Sequence, residues 1–160
     1  RQRQMCIRDS VWIASPYFVP DDAIVQALQL AALRGVDVRI LIPEVSDSIF
    51  VKLAAYSYFD ELKFTGVTFY RYQDGFLHQK VMMIDDTVAA VGTANFDNRS
   101  FRLNFEITAV VADEEFAGDV ERMFEADFAR SRKMEPGEYD SKSYLYKVAV
   151  RLARLAAPVL

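Results

Sequence analysis

The chain has 160 residues, 52% of them hydrophobic and 13% aromatic, which suffices for one domain with its own core. Its 19 Lys and Arg against 23 Asp and Glu leave a net charge of −4, which argues against a general nucleic-acid-binding surface. No apolar run reaches the ~18 residues of a membrane span, and the first residues lack the apolar core of a signal peptide.

Residues 1–10 read RQRQMCIRDS, a polar stretch that does not lead into the strand after it. They are expected to be a non-native, adapter-derived tail, with the native chain cut near Val11. The only cysteine, Cys6, lies in that tail, so cysteine usage carries no information about redox compartment. Val11 to Ala14 reads as a short buried strand. Pro16 and Pro20 bracket a rigid loop that holds Tyr17 and Phe18. Asp21 is placed to cap a helix, with Asp22 at the positive end of its dipole. That helix runs to Arg34 and stops at Gly35, with Ile24, Ala27, Leu28 and Ala31 facing inward.

Val36, Val38, Ile40 and Ile42 alternate with Asp37 and Arg39 as a strand that Pro43 closes. Ser46 and Asp47 can cap a second helix over 48–64, ended by Gly66, and 67–72 is the next strand. This β-α-β-α-β order predicts an α/β fold, a mixed and mainly parallel sheet with helices on both faces. Strands over 80–84 and 88–91 flank a turn at Asp85, Asp86 and Thr87, with Met82 and Met83 as core filler. A strand over 106–112 precedes a charged helix over 113–132. Glu135, Pro136 and Gly137 read as a linker. The final stretch, 143–157, is a basic amphipathic helix. Leu145, Val148, Ala149, Leu152, Leu155 and Ala156 lie on one face, and Lys147, Arg151 and Arg154 on the other. Such a helix suits an anionic bilayer surface, or packs on its own domain.

His78 is the only histidine. Lys80 lies two positions further on, so both project to one face of an extended strand. Beyond the hairpin come Gly92, which permits a tight backbone, then Thr93 with a hydroxyl and Asn95 with an amide. A nucleophile or base, a fixed cation, a hydroxyl and an amide together make a phosphate site. Lys80 and Asn95 would face the oxygens where negative charge develops, and an imidazole can attack phosphorus directly. Clustered acids or histidines of the kind a hydrolytic metal needs are not seen, so neither metal nor other cofactor is expected.

The run from His78 through Lys80 and Asp85, followed by Gly92, Thr93 and Asn95, resembles the H-x-K-x4-D-x6-G-[ST]-x-N signature of the phospholipase D superfamily. Thr93 stands where that family usually has Ser, and the hydroxyl is kept. Pro16 to Pro20, Phe96 to Phe101 and Leu103 to Glu106 are similar to the C-terminal half of bacterial cardiolipin synthases. The resemblance implies one phospholipase D-like catalytic repeat over 11–133, with 134–160 as linker and amphipathic helix. It implies His78 as a catalytic histidine, Lys80 and Asn95 as phosphate ligands beside Thr93, and Glu106 as the carboxylate that orients an active-site histidine. Asp85 belongs to the catalytic motif with a more structural role.

The implied activity is transfer of a phosphatidyl group, through a phosphohistidine, to phosphatidylglycerol at a bacterial cell membrane. Phospholipase D, phosphatidylserine synthase and nuclease chemistry use the same motif. A non-catalytic membrane-binding domain with a relic motif is the alternative of another class. The family's mechanism uses two histidines, so the chain is expected to need a partner: a missing N-terminal repeat or a second copy. The other expected partners are the phospholipid substrate and the membrane surface, with no nucleic acid. Tyr17 and Phe18 either line the lipid entrance or pack in the core. Arg99 either neutralises a phosphodiester or pairs with a carboxylate.

Overall fold

The computed structural model describes residues 9–157. In chain order the elements are β1 (Ser10–Ala14), β2 (Phe18–Val19), α1 (Asp22–Leu33), β3 (Asp37–Pro43), α2 (Ile49–Leu62), β4 (Thr68–Tyr72), β5 (Val81–Ile84), β6 (Val88–Gly92) and β7 (Phe96–Asp97). They continue with α3 (Asn98–Arg102), β8 (Thr108–Ala112), α4 (Glu114–Ala129), β9 (Ser131–Lys133), α5 (Gly137–Asp140) and α6 (Tyr144–Leu155).

One seven-stranded sheet runs in the order β8-β6-β5-β1-β3-β4-β9, and β2 with β7 forms a separate two-stranded ribbon. The fold is mixed α/β with helices on both faces. Within the large sheet parallel pairing is confined to β1-β3-β4, the part built by β-α-β crossovers, so the sheet is mostly antiparallel and not mainly parallel as expected; the β2-β7 ribbon is parallel. Every other pair of the large sheet is antiparallel, because β5 and β6 are joined by a tight turn and β8 and β9 enter from the outer edges. Period-two alternation divides the core in two. Ile13, Ile40 and Phe69 face α1, α2 and α6, whereas Trp12, Leu41 and Met83 face Val120 and Phe124 of α4. Met82 points the other way and packs partly buried against the first of these layers.

The helix ends follow their caps. The Asp21 side chain accepts the Ile24 N–H at the start of α1, and Gly35 takes a left-handed φ of 89° after its end. For α2 the capping side chain is Ser48, not Ser46 or Asp47; Ser46 instead braces Ser48. The buried stripe of α1 is centred on Val25 and Leu28, which turns the expected core residue Ala27 out to solvent.

Residues 1–8 of the expected tail lie outside the described residues. Asp9 and Ser10 do engage the domain: both N–H groups donate to Asp85 Oδ1, at 2.7 and 3.1 Å, and Ser10 opens β1.

The composition shift at Glu135 to Gly137 is not a boundary in space. Met134, Tyr139, Val150, Ala153 and Ala157 are buried in the same core as β1 and α2. Short β9, which caps the β4 edge, falls inside the span read as the end of a helix. Its three residues are too few to show a period. In α6 the inward face is Tyr146, Val150 and Ala153, with Tyr146 edge-on to Tyr56 of α2. Arg154 lies inward too, over the Tyr58 ring at 3.6 Å. Leu145, Leu152 and Leu155, expected on one apolar face, are 79%, 61% and 77% exposed. Among the described residues no helix is long and apolar enough to cross a membrane.

Candidate active site

His78 and Lys80 lie on the extended lead-in to β5, and Gln79 between them points to the opposite face. Its amide donates to Asp127 of α4 at 2.9 Å, which fixes the alternation and turns His78 and Lys80 together. Lys80 Nζ sits 3.0 Å from His78 Nε2 and donates to the His78 carbonyl oxygen at 2.9 Å. An ammonium can only donate, so this contact makes Nε2 the acceptor and leaves the ring proton on Nδ1. Phe76 stacks on the imidazole at a ring separation of 5.6 Å and steadies its plane. Partial burial pushes the Lys80 ammonium below its ordinary value, while Glu106, Asp47 and Asp97 act in the opposite sense.

The second half of the motif follows β6. Gly92 pairs with Thr108 of β8, and a Cβ at this position would lie 2.7 Å from the Thr108 Cα. Glycine is thus required for close approach of backbone, not for an unusual φ. That approach lets the Thr93 N–H donate to the Ile107 carbonyl at 2.9 Å, and the Ile107 N–H donate to Thr93 Oγ1 at 3.0 Å. Thr93 Oγ1 donates in turn to Glu106 at 2.5 Å. Glu106 also accepts from Asn104 at 3.1 Å and from the Ser100 hydroxyl at 3.3 Å. These bonds, Thr93 first, hold its carboxyl below the usual range. None of these partners is His78, so Glu106 is brought to Thr93 and not to the histidine of its own chain.

Asn95 is held by its backbone, whose N–H donates to Ser100 Oγ at 3.1 Å. Its side-chain Oδ1 is buried and has no partner among the described residues, so it can accept from a ligand hydroxyl, whereas Nδ2 is the atom that can donate to a phosphate oxygen. Three positioning residues escaped the sequence reading. Asp97 accepts the Ser100 N–H at 2.7 Å and caps α3, a spacing of three that is itself an N-cap signal. Ser100 then serves Asn95 and Glu106 together. Buried Ser15 accepts the Phe96 N–H at 2.9 Å and ties the strand after β6 back to the end of β1, a long-range link with no local signature.

Asp85 is not part of this cluster. It sits at the other end of β5 from Lys80, in the turn, with φ +55°, and receives the backbone of Asp9 and Ser10. In that position it fastens the start of β1. Phe18 is fully buried, stacked on Phe96, and belongs to the core. Tyr17 reaches the surface, and its hydroxyl donates to Asp47 at 2.8 Å. Burial first and Asp47 second push its phenol up to about 12. Among the described residues Arg99 pairs with no carboxylate.

The candidate groups stand at an open margin. Strand β8 is the sheet's edge, and around it Leu103, Phe105, Ile107 and Val110 are 65%, 107%, 76% and 69% exposed. Among the described residues no cluster of three or more His, Cys, Asp or Glu is arranged to hold a metal.

This architecture is that of the phospholipase D-like domains. It overlays on phosphatidylserine synthase from Haemophilus influenzae Rd KW20 with a TM-score of 0.74 at 13% identity, over 95% of this chain and 42% of that one. It overlays on Nuc from Salmonella typhimurium, a phospholipase D family member, with a TM-score of 0.69 at 23% identity, over 80% and 83% of the two chains. At such identities these likenesses speak for the fold alone. The family model described as "Cardiolipin synthase, PLD-like domain" matches residues 6–128, and the chain belongs to that family. It is 55% identical over 152 residues to cardiolipin synthase A of Pseudomonas aeruginosa (strain LESB58), covering 95% of this chain and 31% of the relative. Against cardiolipin synthase A of Pseudomonas putida (strain W619) the identity is 51% over 150 residues, 94% of this chain and 31% of the relative. The chain thus spans 31% of the length of these curated relatives.

Proposed function

We propose that this chain is the C-terminal catalytic half of a cardiolipin synthase, a phosphatidyltransferase that acts through a phosphohistidine. The observation that carries the reading is the pairing of Lys80 Nζ with His78 Nε2 at 3.0 Å. On this reading His78 Nε2 attacks the phosphorus of the donor phosphatidylglycerol. Lys80 and Asn95 steady the oxygens that gain charge. The P–O bond to the head-group glycerol breaks, and an acid on the opposite side protonates the departing oxygen. A second phosphatidylglycerol then attacks the phosphohistidine through its terminal hydroxyl, and its proton returns to that same group, now a base.

The acid must come from outside this chain, which holds one histidine. A second half, either an N-terminal repeat or another copy, would cover the apolar margin of Leu103, Phe105, Ile107 and Val110. Glu106 lies on that margin without touching His78, so the histidine it orients would be the one the second half brings. The exposed Leu145, Leu152 and Leu155 of α6, next to exposed Arg151, form the face laid on an anionic bilayer.

Lipid products separate the alternatives when the chain is assembled with a second half and given labelled phosphatidylglycerol. Cardiolipin with release of glycerol is expected. Phosphatidic acid alone would mean that water is the acceptor, and no turnover would mean that this is a binding domain.

A further inference from the structure

Next to the reaction centre lies a second cleft, of about 310 Å³, with Tyr17, Ser48, Asn95, Asp97, Arg99 and Asn104 in its walls. Asn95 is shared with the phosphate site described above. The acids nearby are engaged: Asp97 caps α3 through the Ser100 N–H, and Asp47 accepts the Tyr17 hydroxyl. The neighbouring cation of α3, Arg102, is engaged too, 2.7 Å from Asp21. Arg99 differs. It is exposed, and its guanidinium makes no hydrogen bond or ion pair among the described residues.

We propose that this cleft seats the head group of the acceptor lipid, with Arg99 on the acceptor's own phosphodiester. The proposal rests on the phosphatidyltransferase reading and adds what selects the acceptor. Joining two phosphatidylglycerols brings two negative phosphates within one glycerol of each other. Lys80 serves the phosphate under attack. The second phosphate meets that charge in a partly desolvated site, so it needs a cation of its own. A guanidinium supplies charge and a two-pronged donor for phosphate oxygens. Water or a neutral alcohol brings no second phosphate and makes no such demand. Asn95, between the two seats, can address either phosphate. Arg99 thus discriminates between acceptors and takes no part in attacking the donor.

The test is a competition in the assembled enzyme. Labelled phosphatidylglycerol is the donor, ethanol is present as a neutral acceptor, and the ratio of cardiolipin to phosphatidylethanol is read. Arg99→Gln is expected to lower that ratio by about tenfold or more, and Arg99→Lys to recover most of it. An unchanged ratio in Arg99→Gln overturns the proposal. So does an equal fall in both products, which would place Arg99 on the donor or in the fold. Phosphatidylethanol without cardiolipin from the unsubstituted enzyme would instead overturn the reading on which the acceptor seat rests.

Discussion

The hairpin of β5 and β6 carries motif residues at both of its ends, and the two ends are built on opposite principles. At the turn, Asp85 is saturated: its carboxylate receives two backbone N–H groups and its own N–H donates to the Ser10 carbonyl. At the other end, Asn95 Oδ1 has no partner among the described residues and Lys80 rests on the histidine beside it. Satisfied polar groups hold a fold together, whereas unsatisfied ones are tolerated where a ligand will complete them. One motif therefore contains a fastening and the proposed reaction site, separated by the length of a four-residue strand.

The sharpest way to break this contrast is His78→Ala. Turnover of the assembled enzyme should vanish while the melting temperature stays close to that of the unsubstituted protein, since the side chain is exposed. Residual turnover near the original rate would show that the open end does not hold the chemistry. Lys80→Ala and Asn95→Ala should each cost about 3–4 kcal/mol of transition-state stabilisation, read as a fall in kcat of roughly two to three orders of magnitude. Asp85→Ala should do the reverse. Losing the carboxylate and placing alanine at φ +55° should lower unfolding stability by about 1–3 kcal/mol in denaturant titrations, with kcat little changed. Asp85→Asn, which tolerates the left-handed region and keeps an acceptor, should recover much of that loss. A large fall in kcat with intact stability would return Asp85 to the chemistry.

The smallest effect concerns pH. Burial lowers the Lys80 pKa, so its charge is present at low pH and is lost, as pH rises, earlier than for an ordinary lysine. Activity should therefore fall on the alkaline side, and Lys80→Arg, where it turns over, should push that fall to higher pH. An alkaline limb that does not move with this substitution would assign it to another group.

The reaction end was largely legible before any coordinates. His78 and Lys80 are two residues apart, and strand geometry alone sets them on one face; the Gln79 bond to Asp127 explains how that face is chosen. The turn end was half legible. Asp85 was recognised as a motif residue, but its partners, Asp9 and Ser10, lie more than seventy positions away in the chain. Gly92 was read as a residue of a tight backbone, yet its need comes from β8 crossing above it, which no local pattern reports. The ribbon of β2 and β7 was missed because two strands of two residues have no periodicity to detect.

What the sequence determined by itself is what depends on short spacing: the cap of α1, the β5-β6 hairpin, and the residues gathered from His78 to Asn95. Backbone geometry over a few residues leaves these little freedom. Tertiary structure decided the rest. It placed β8 at an edge with its apolar residues uncovered, brought Glu106 to Thr93 and not to His78, left Arg99 without a carboxylate among the described residues, and turned Leu145, Leu152 and Leu155 of α6 away from α2. Each of these outcomes is a choice of partner between segments far apart in the chain. Such a choice depends on which surfaces have already been buried by others.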